Sequence, residues 1–207
     1  QNKEGITITE GLQKALDLSI ANLPIPKVMT YQPKDSLESV SFVRPAHGLI
    51  AIHGDDVVHV RALGLDSGNR TLGHRFHSQG MITIKNAAEY EITMETEGHI
   101  IPSYEKRKSN IQNQLQNESN KLDLILHDDE ALLDVVTALV ESPKVYQAQF
   151  DKEFLSIPEE CLILTMKTNQ KYFPLFGPAG KLAEKVSSVS NMDVDDPSHI
   201  IEGNEKV

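Results

Sequence analysis

The chain has 207 residues, of which 39% are hydrophobic and 24% charged, and its 20 Lys and Arg against 30 Asp and Glu give a formal net charge of −10. That balance opposes indiscriminate binding to phosphate backbones. No apolar run approaches the roughly 20 residues that cross a bilayer, and the single cysteine, Cys161, excludes both an intrachain disulfide and a cysteine-based zinc site.

The length suggests one full domain, or one with an appendage. The chain starts at Gln1 rather than Met, which reads as a cut-out or processed piece, and Gln1–Glu10 lacks the apolar stretch of a signal peptide. One cysteine in a soluble composition suits a reducing, cytoplasmic compartment. Cys161 itself is expected to be a small apolar core residue.

Thr7-Ile8-Thr9-Glu10 has the spacing of a capping box, and Leu12, Ala15, Leu16 and Leu23 follow at helical intervals. Pro24 and Pro26 stop that helix, and Pro33-Lys34-Asp35-Ser36 reads as a turn. Ser39–Val43 alternates as a strand. Leu49–His53 and Val57–Arg61 read as two strands joined across Gly54-Asp55-Asp56. Gly64, Gly68 and Gly73 mark a long loop, and Met81–Ile84 another short strand. Asn86 caps a helix towards Glu97, with Gly98 as its stop.

Tyr104, Ile111 and Leu115 mark one side of a polar helix, and Leu122–Leu126 is a short strand. Asp128 and Asp129 open a helix with Leu132, Leu133, Val136, Leu139 and Val140 on its buried side, where acids suit the helix dipole. Pro143 ends it. Lys144–Phe150 reads as a strand, and Pro158 as an early helical residue followed by Leu162, Ile163 and Met166. Lys171–Phe176 and Leu182–Ser190 flank the turn Gly177-Pro178-Ala179-Gly180. Strands and helices intermix without strict βαβ alternation, which predicts an α+β fold: a mixed β-sheet domain with packed helices. The organisation expected is an N-terminal helix and connector over 1–38, the α+β domain over 39–190, and an acidic linker over 191–207.

Charge is unevenly spread. Ser39–Gly54, Ser67–Ala88 and Cys161–Ala183 contain no acid, while His127–Glu130 and Asp193–Glu205 are rich in them. A neutral-to-basic face on an acidic body could accept RNA locally; equally, core strands carry few acids. The clustered histidines His47, His53, His59, His74 and His77 offer no metal spacing, so no metal site is expected. His127-Asp128 reads as a helix cap. No phosphate-binding glycine loop and no Gly-x-Ser-x-Gly is present.

Two clusters stand out. Gly68–His77 packs Arg70, Arg75, His74, His77 and Phe76 between glycines. Arginine forks pair with phosphate, and aromatic or guanidinium planes stack on unpaired bases. If His74–His77 is extended, His74 and Phe76 face one way and Arg75 and His77 the other. The competing reading puts Phe76 in the core and Arg75 on loop carbonyls. Asn169-Gln170-Lys171-Tyr172-Phe173-Pro174 offers amides, an ammonium and two aromatics, or else a packed helix-to-strand corner.

These clusters, with Phe42–Ala51, Met166–Pro174, Ser190-Asn191-Met192 and Glu202-Gly203-Asn204-Glu205, resemble in order and spacing successive signatures of the bacterial glycyl-tRNA synthetase β subunit. The resemblance covers nearly the whole chain and matches the amino-terminal to middle part of a much longer subunit. It implies a share in glycine–tRNA ligase, a heterotetrameric class II synthetase. There the α subunit activates glycine with ATP and Mg, and the β subunit is needed for charging and contacts tRNA(Gly). Partners implied are the α subunit, tRNA(Gly) and the rest of β; no cofactor is implied for this stretch. It also implies likeness to the module that carries editing in the phenylalanyl-tRNA synthetase β subunit. Editing does not carry over, because size exclusion already protects glycine, the smallest amino acid. Arg70, His74, Arg75, Lys167 and Lys171 are the candidates for RNA or interdomain contacts, with no catalytic residue assigned. The alternatives are an editing-type hydrolase for mischarged tRNA and a purely structural interaction module. One departure from the family is Lys185-Val186-Ser187-Ser188-Val189, a strand expected to be more exposed than its apolar counterpart.

Overall fold

A computed structural model describes residues 5–33 and 38–205. The described chain is α+β, with six α-helices and small antiparallel sheets, and divides into two compact units after Gly98. The division falls inside the stretch 39–190 that the sequence reading takes as one domain. Every ladder between named strands is antiparallel, in place of the mixed sheet expected; the parallel contact is an isolated bridge from Ile50 to Gly68.

The first unit opens with α1 (Ile8–Ala21). The capping box is complete: the Thr7 hydroxyl accepts the Glu10 N–H at 3.2 Å and the Glu10 carboxylate accepts the Thr7 N–H at 3.2 Å. No residue of α1 is buried, so its apolar stripe is not a core face of this unit. Gln13 instead docks the helix by paired bonds to the Arg61 main chain, both 2.8 Å.

Strands β1 (Met29–Tyr31) and β2 (Val40–Phe42) pair; the turn expected at Pro33–Ser36 lies outside the described residues from Lys34 on. Two tight hairpins follow, and then one with a longer connection. β3 (Ile52–His53) and β4 (Asp56–Val57) turn through Gly54 at φ +61°. β5 (Arg61–Ala62) and β6 (Leu65–Asp66) turn through Leu63 and Gly64, both at positive φ, as a type I′ turn requires. β7 (Arg70–Leu72) pairs with β8 (Met81–Thr83). The long loop expected around Gly64–Gly73 is therefore largely paired strand. Val58, Val60, Ile82, Ile84 and Met94 form the buried apolar set. The Ser67 hydroxyl stitches it, donating to Val58 O at 2.7 Å and accepting from Val60 N at 2.9 Å. Asn86 caps the 3₁₀ turn Ala87–Glu89 that leads into α2 (Tyr90–Thr96).

The second unit is built on α3 (Tyr104–Lys121) and α4 (Glu130–Leu139) against a four-stranded sheet. Its strands are β9 (Ile125–Leu126), β10 (Lys144–Gln149), β11 (Phe173–Phe176) and β12 (Leu182–Ser190), ordered β10-β12-β11-β9. Ile111 and Leu115 on α3 meet Leu132, Leu133, Val136 and Val140 around α4 and Val145 and Phe173 on the sheet. Polar ties fix this packing. The Arg107 guanidinium donates to Thr137 O at 2.9 Å and Ile101 O at 2.6 Å. Gln114 bridges Pro143 O and Val145 N at 3.0 Å each. Lys108 pairs with Glu130 and with Asp134, at 2.6 Å to the latter. That ammonium, and then the Tyr104 hydroxyl, hold the Asp134 carboxyl below its usual range.

Asp129, not Asp128, caps α4, and His127 stacks on Phe176 at 4.1 Å. Pro174 has no N–H to give a ladder, and the β11–β12 register shifts between Pro174 and Phe176, the irregularity at which a strand tolerates proline. Ser187 and Ser188 overturn the expectation of an exposed strand. They are 0% and 5% exposed, because β12 lies between β10 and β11 and is covered there. The Ser187 hydroxyl accepts from Gln147 at 2.9 Å, which makes its burial tolerable. After β12, Asn191 accepts the Glu141 and Ser142 N–H groups at 2.8 and 2.9 Å and so closes the chain after α4.

A five-residue 3₁₀ turn (Lys152–Ser156) precedes α5 (Glu159–Thr165), which carries Cys161 exposed rather than in the core. The stretch 191–207 read as linker includes α6 (Ser198–Glu205), which packs on β10. Replacing Leu115, 2% exposed at the centre of the α3–α4 cluster, with Ala is expected to cost about 3 kcal/mol by leaving a cavity. Urea unfolding of Leu115→Ala beside the parent measures it.

Candidate nucleic-acid interface

The five candidate residues divide between the units: Arg70, His74 and Arg75 in the first, Lys167 and Lys171 in the second. In the first unit, the β7–β8 hairpin shows strict alternation. Thr71, Ile82 and Ile84 point inward, while Arg70, Leu72, Met81, Thr83 and Lys85 are exposed. The register sets Arg70 opposite Thr83 and Leu72 opposite Met81. One face of the hairpin therefore presents a cation, two apolar side chains and, one step along, a second cation. Lys85 joins it unforeseen, although Met81-Ile82-Thr83-Ile84-Lys85 carries the period-2 signal.

The connection between these strands, Gly73–Gly80, folds into a turn at 75–77 and is not extended. The main chain of Gly73 lies so near Gly98 that a Cβ on it would sit 2.5 Å from the Gly98 Cα and carbonyl oxygen. The His74 N–H donates to Gly98 O at 2.7 Å, and Ser78 N–H donates back to His74 O at 3.0 Å. The His74 ring is 1% exposed, and its Nδ1 accepts the Phe76 and His77 N–H groups, both at 3.3 Å. His77 stacks on it at 4.5 Å. His74 is thus placed to shape the loop from inside rather than to present itself to a ligand. Phe76 reverses the core reading: it is 65% exposed, with the Arg75 guanidinium 5.7 Å from its ring centroid. Among the described residues, neither Arg70 nor Arg75 forms an ion pair.

The second unit uses its two lysines differently. Lys167 lies in a π-helical turn (Met166–Gln170) continuing α5, and its ammonium pairs with Asp129 at 2.8 Å. Asp129 is also the cap of α4, accepting the Leu132 N–H at 2.9 Å. The Lys167 hydrogen bond, then that N–H, hold the Asp129 carboxyl below its ordinary value of 3.8. Lys171 ends the π-turn in the left-handed region, φ 60°, and donates to Thr168 O at 2.6 Å. Phe173 is 3% exposed and Pro174 is buried, so Asn169–Pro174 is the packed corner of the two readings.

Beside that corner, a cavity of about 270 Å³ is lined by Phe150, Phe154, Ile157, Leu162, Met166 and Tyr172. Burial pushes the Tyr172 phenol up. Glu205 stands at the edge of this cavity, its carboxylate taken by the Gln149 N–H at 3.2 Å. Among the described residues, no group of three or more His, Cys, Asp or Glu is arranged to hold a metal ion, and no helix is long and apolar enough to cross a membrane.

Comparison with known proteins bears on both units. The family model described as glycyl-tRNA synthetase beta subunit matches residues 1–207. A protein of Methylobacillus flagellatus named glycine–tRNA ligase beta subunit is 54% identical over 204 residues, 98% of this chain and 29% of its own length. One of the same name from Leptothrix cholodnii is 55% identical over 204 residues, with the same coverage. Another from Neisseria meningitidis serogroup A is 50% identical over 203 residues, 98% of this chain and 29% of its own. The chain thus spans about three tenths of the length of these relatives, and across that span it belongs to the glycyl-tRNA synthetase β-subunit family.

Proposed function

We propose that this chain is a tRNA-handling and scaffolding part of a glycine–tRNA ligase, acting with the remainder of a β subunit and an α subunit that activates glycine with ATP and Mg in the cytoplasm. The family match supports the ligase, and the relatives' names supply glycine and tRNA. The observation that carries the tRNA reading is the exposed β7–β8 face. Arg70, Arg75 and Lys85 stand in a stretch without an acid, on a protein of net charge −10. Guanidinium forks suit phosphate oxygens, and an acidic body elsewhere restricts the RNA to this hairpin.

The second unit supports the scaffolding half of the reading. Lys167 and Lys171 are engaged by Asp129 and Thr168, so their chemistry is spent on holding α5, the π-turn and α4 together. The likeness to the editing module of phenylalanyl-tRNA synthetase belongs to this reading as a kinship of fold without its hydrolysis. The cavity beside Tyr172 has a largely apolar lining, and its one carboxylate is occupied by a main-chain N–H.

Arg70→Ala and Arg75→Ala, placed in the assembled enzyme, should each raise the apparent KM for tRNA(Gly). Each should also lower the slope of log affinity against log salt by about one unit, as loss of a phosphate contact does; unchanged affinity and slope would remove the assignment. Lys167→Met should leave tRNA affinity alone and destabilise the fold. The sign follows from Asp129. A carboxyl held below its ordinary value stabilises the fold above that value, and the contribution is lost as pH falls through the lowered one. The variant should therefore melt below the parent at neutral pH, and the gap should close in strong acid; scanning melts from pH 7 to pH 2 read this. Incubation with mischarged tRNA should give no deacylation above background, and hydrolysis there would favour the editing alternative.

A further inference from the structure

We infer that Phe76 is a stacking platform for one unpaired base of a bound RNA, with Arg75 as its phosphate-side partner. This rests on the tRNA reading of the β7–β8 face and narrows it from phosphate backbone to single-stranded nucleotide.

Three observations carry it. Phe76 is 65% exposed even with the Arg75 guanidinium 5.7 Å from its ring centroid, so most of the ring stays open to solvent. The main chain beneath it is fixed: the Phe76 and His77 N–H groups end on buried His74 Nδ1, and the His74 N–H ends on Gly98 O. A ring carried on a braced turn has the main-chain part of its ordering cost met before any ligand arrives, which favours binding. The hairpin that carries the turn also exposes Leu72 and Met81, at 58% and 48%, and the cations Arg70 and Lys85.

The charge decides which partner this combination fits. A protein partner would be met by apolar contact alone, and the cations would need acids opposite them. RNA satisfies both parts at once, phosphates on the guanidinium groups and a base on the ring. In a continuous A-form duplex the bases are already stacked on one another and a phenyl ring finds no face to cover, so the nucleotide must be unpaired.

The chain contains no tryptophan, so Phe76→Trp introduces a single indole as reporter. The 207-residue chain carrying it would be titrated with a short single-stranded oligoadenylate RNA and, separately, with a blunt RNA duplex of equal charge. Expected is quenching of the indole by oligoadenylate and little by the duplex. In the otherwise native chain, Phe76→Ala should weaken oligoadenylate binding about tenfold while Phe76→Tyr preserves it. Melting curves of both variants should match the parent, since the ring is outside the core. Several results would overturn the inference: equal quenching by duplex, or Phe76→Ala binding oligoadenylate as well as the parent. If Arg70→Ala and Arg75→Ala still weaken binding in either case, the tRNA reading survives and stacking alone falls. Absence of binding to either RNA would overturn the stacking inference, while the tRNA reading stands or falls on the KM and salt slope of the assembled enzyme.

Discussion

The exposed face of the first unit depends on one close approach. Gly73 and Gly98 bring their main chains together at a distance that leaves no room for a side chain, and the His74 N–H closes the contact on Gly98 O. Everything the loop presents follows from that. With Gly73 pinned, His74 is driven inward, its Nδ1 collects two N–H groups that would otherwise be unsatisfied, and the next two side chains are turned out. A loop lacking this anchor could carry the same arginine and phenylalanine, but each would sample many positions.

The candidate basic residues of the two units are engaged differently, and net charge alone would not reveal it. Around β7 and β8 the cations Arg70, Arg75 and Lys85 are exposed, in a stretch of sequence without an acid. In the second unit a lysine is drawn to the acid that begins α4, and another caps a carbonyl of its own turn. The Lys167–Asp129 pair serves twice, because the same carboxylate satisfies the first turn of the helix.

Local chemistry was readable in the sequence wherever it was self-contained. The capping box at Thr7 and the Gly177–Gly180 hairpin each need only their own few residues, and so does the buried stripe of α4 except for Leu139, expected inside but 65% exposed at the last turn. Burial that depends on distant partners was not readable. His74 sits between Gly73 and Arg75 and looks like surface; it is buried because Gly98 and its own loop amides surround it. Ser187 and Ser188 look like an exposed strand, and only the placing of β12 between two neighbours covers them. Arg70 was expected in a loop because glycines bracket it, and a three-residue strand is too short to show its period against them. The engagement of Lys167 by Asp129 joins segments far apart in the chain, with no local trace of it. The family resemblance rested on the motifs themselves and did not need these details.

Among the described residues, the outer edge of β10 has no strand beside it, since the sheet order begins there. A bare strand edge is a template on which a second molecule can add its own strand. α6 packs on β10, and the Glu205 carboxylate occupies the N–H of Gln149 at its end. The helix found where a linker was expected therefore shares that edge with Gln114 of α3, which accepts the Val145 N–H, so that a further strand could add to β10 only by displacing both.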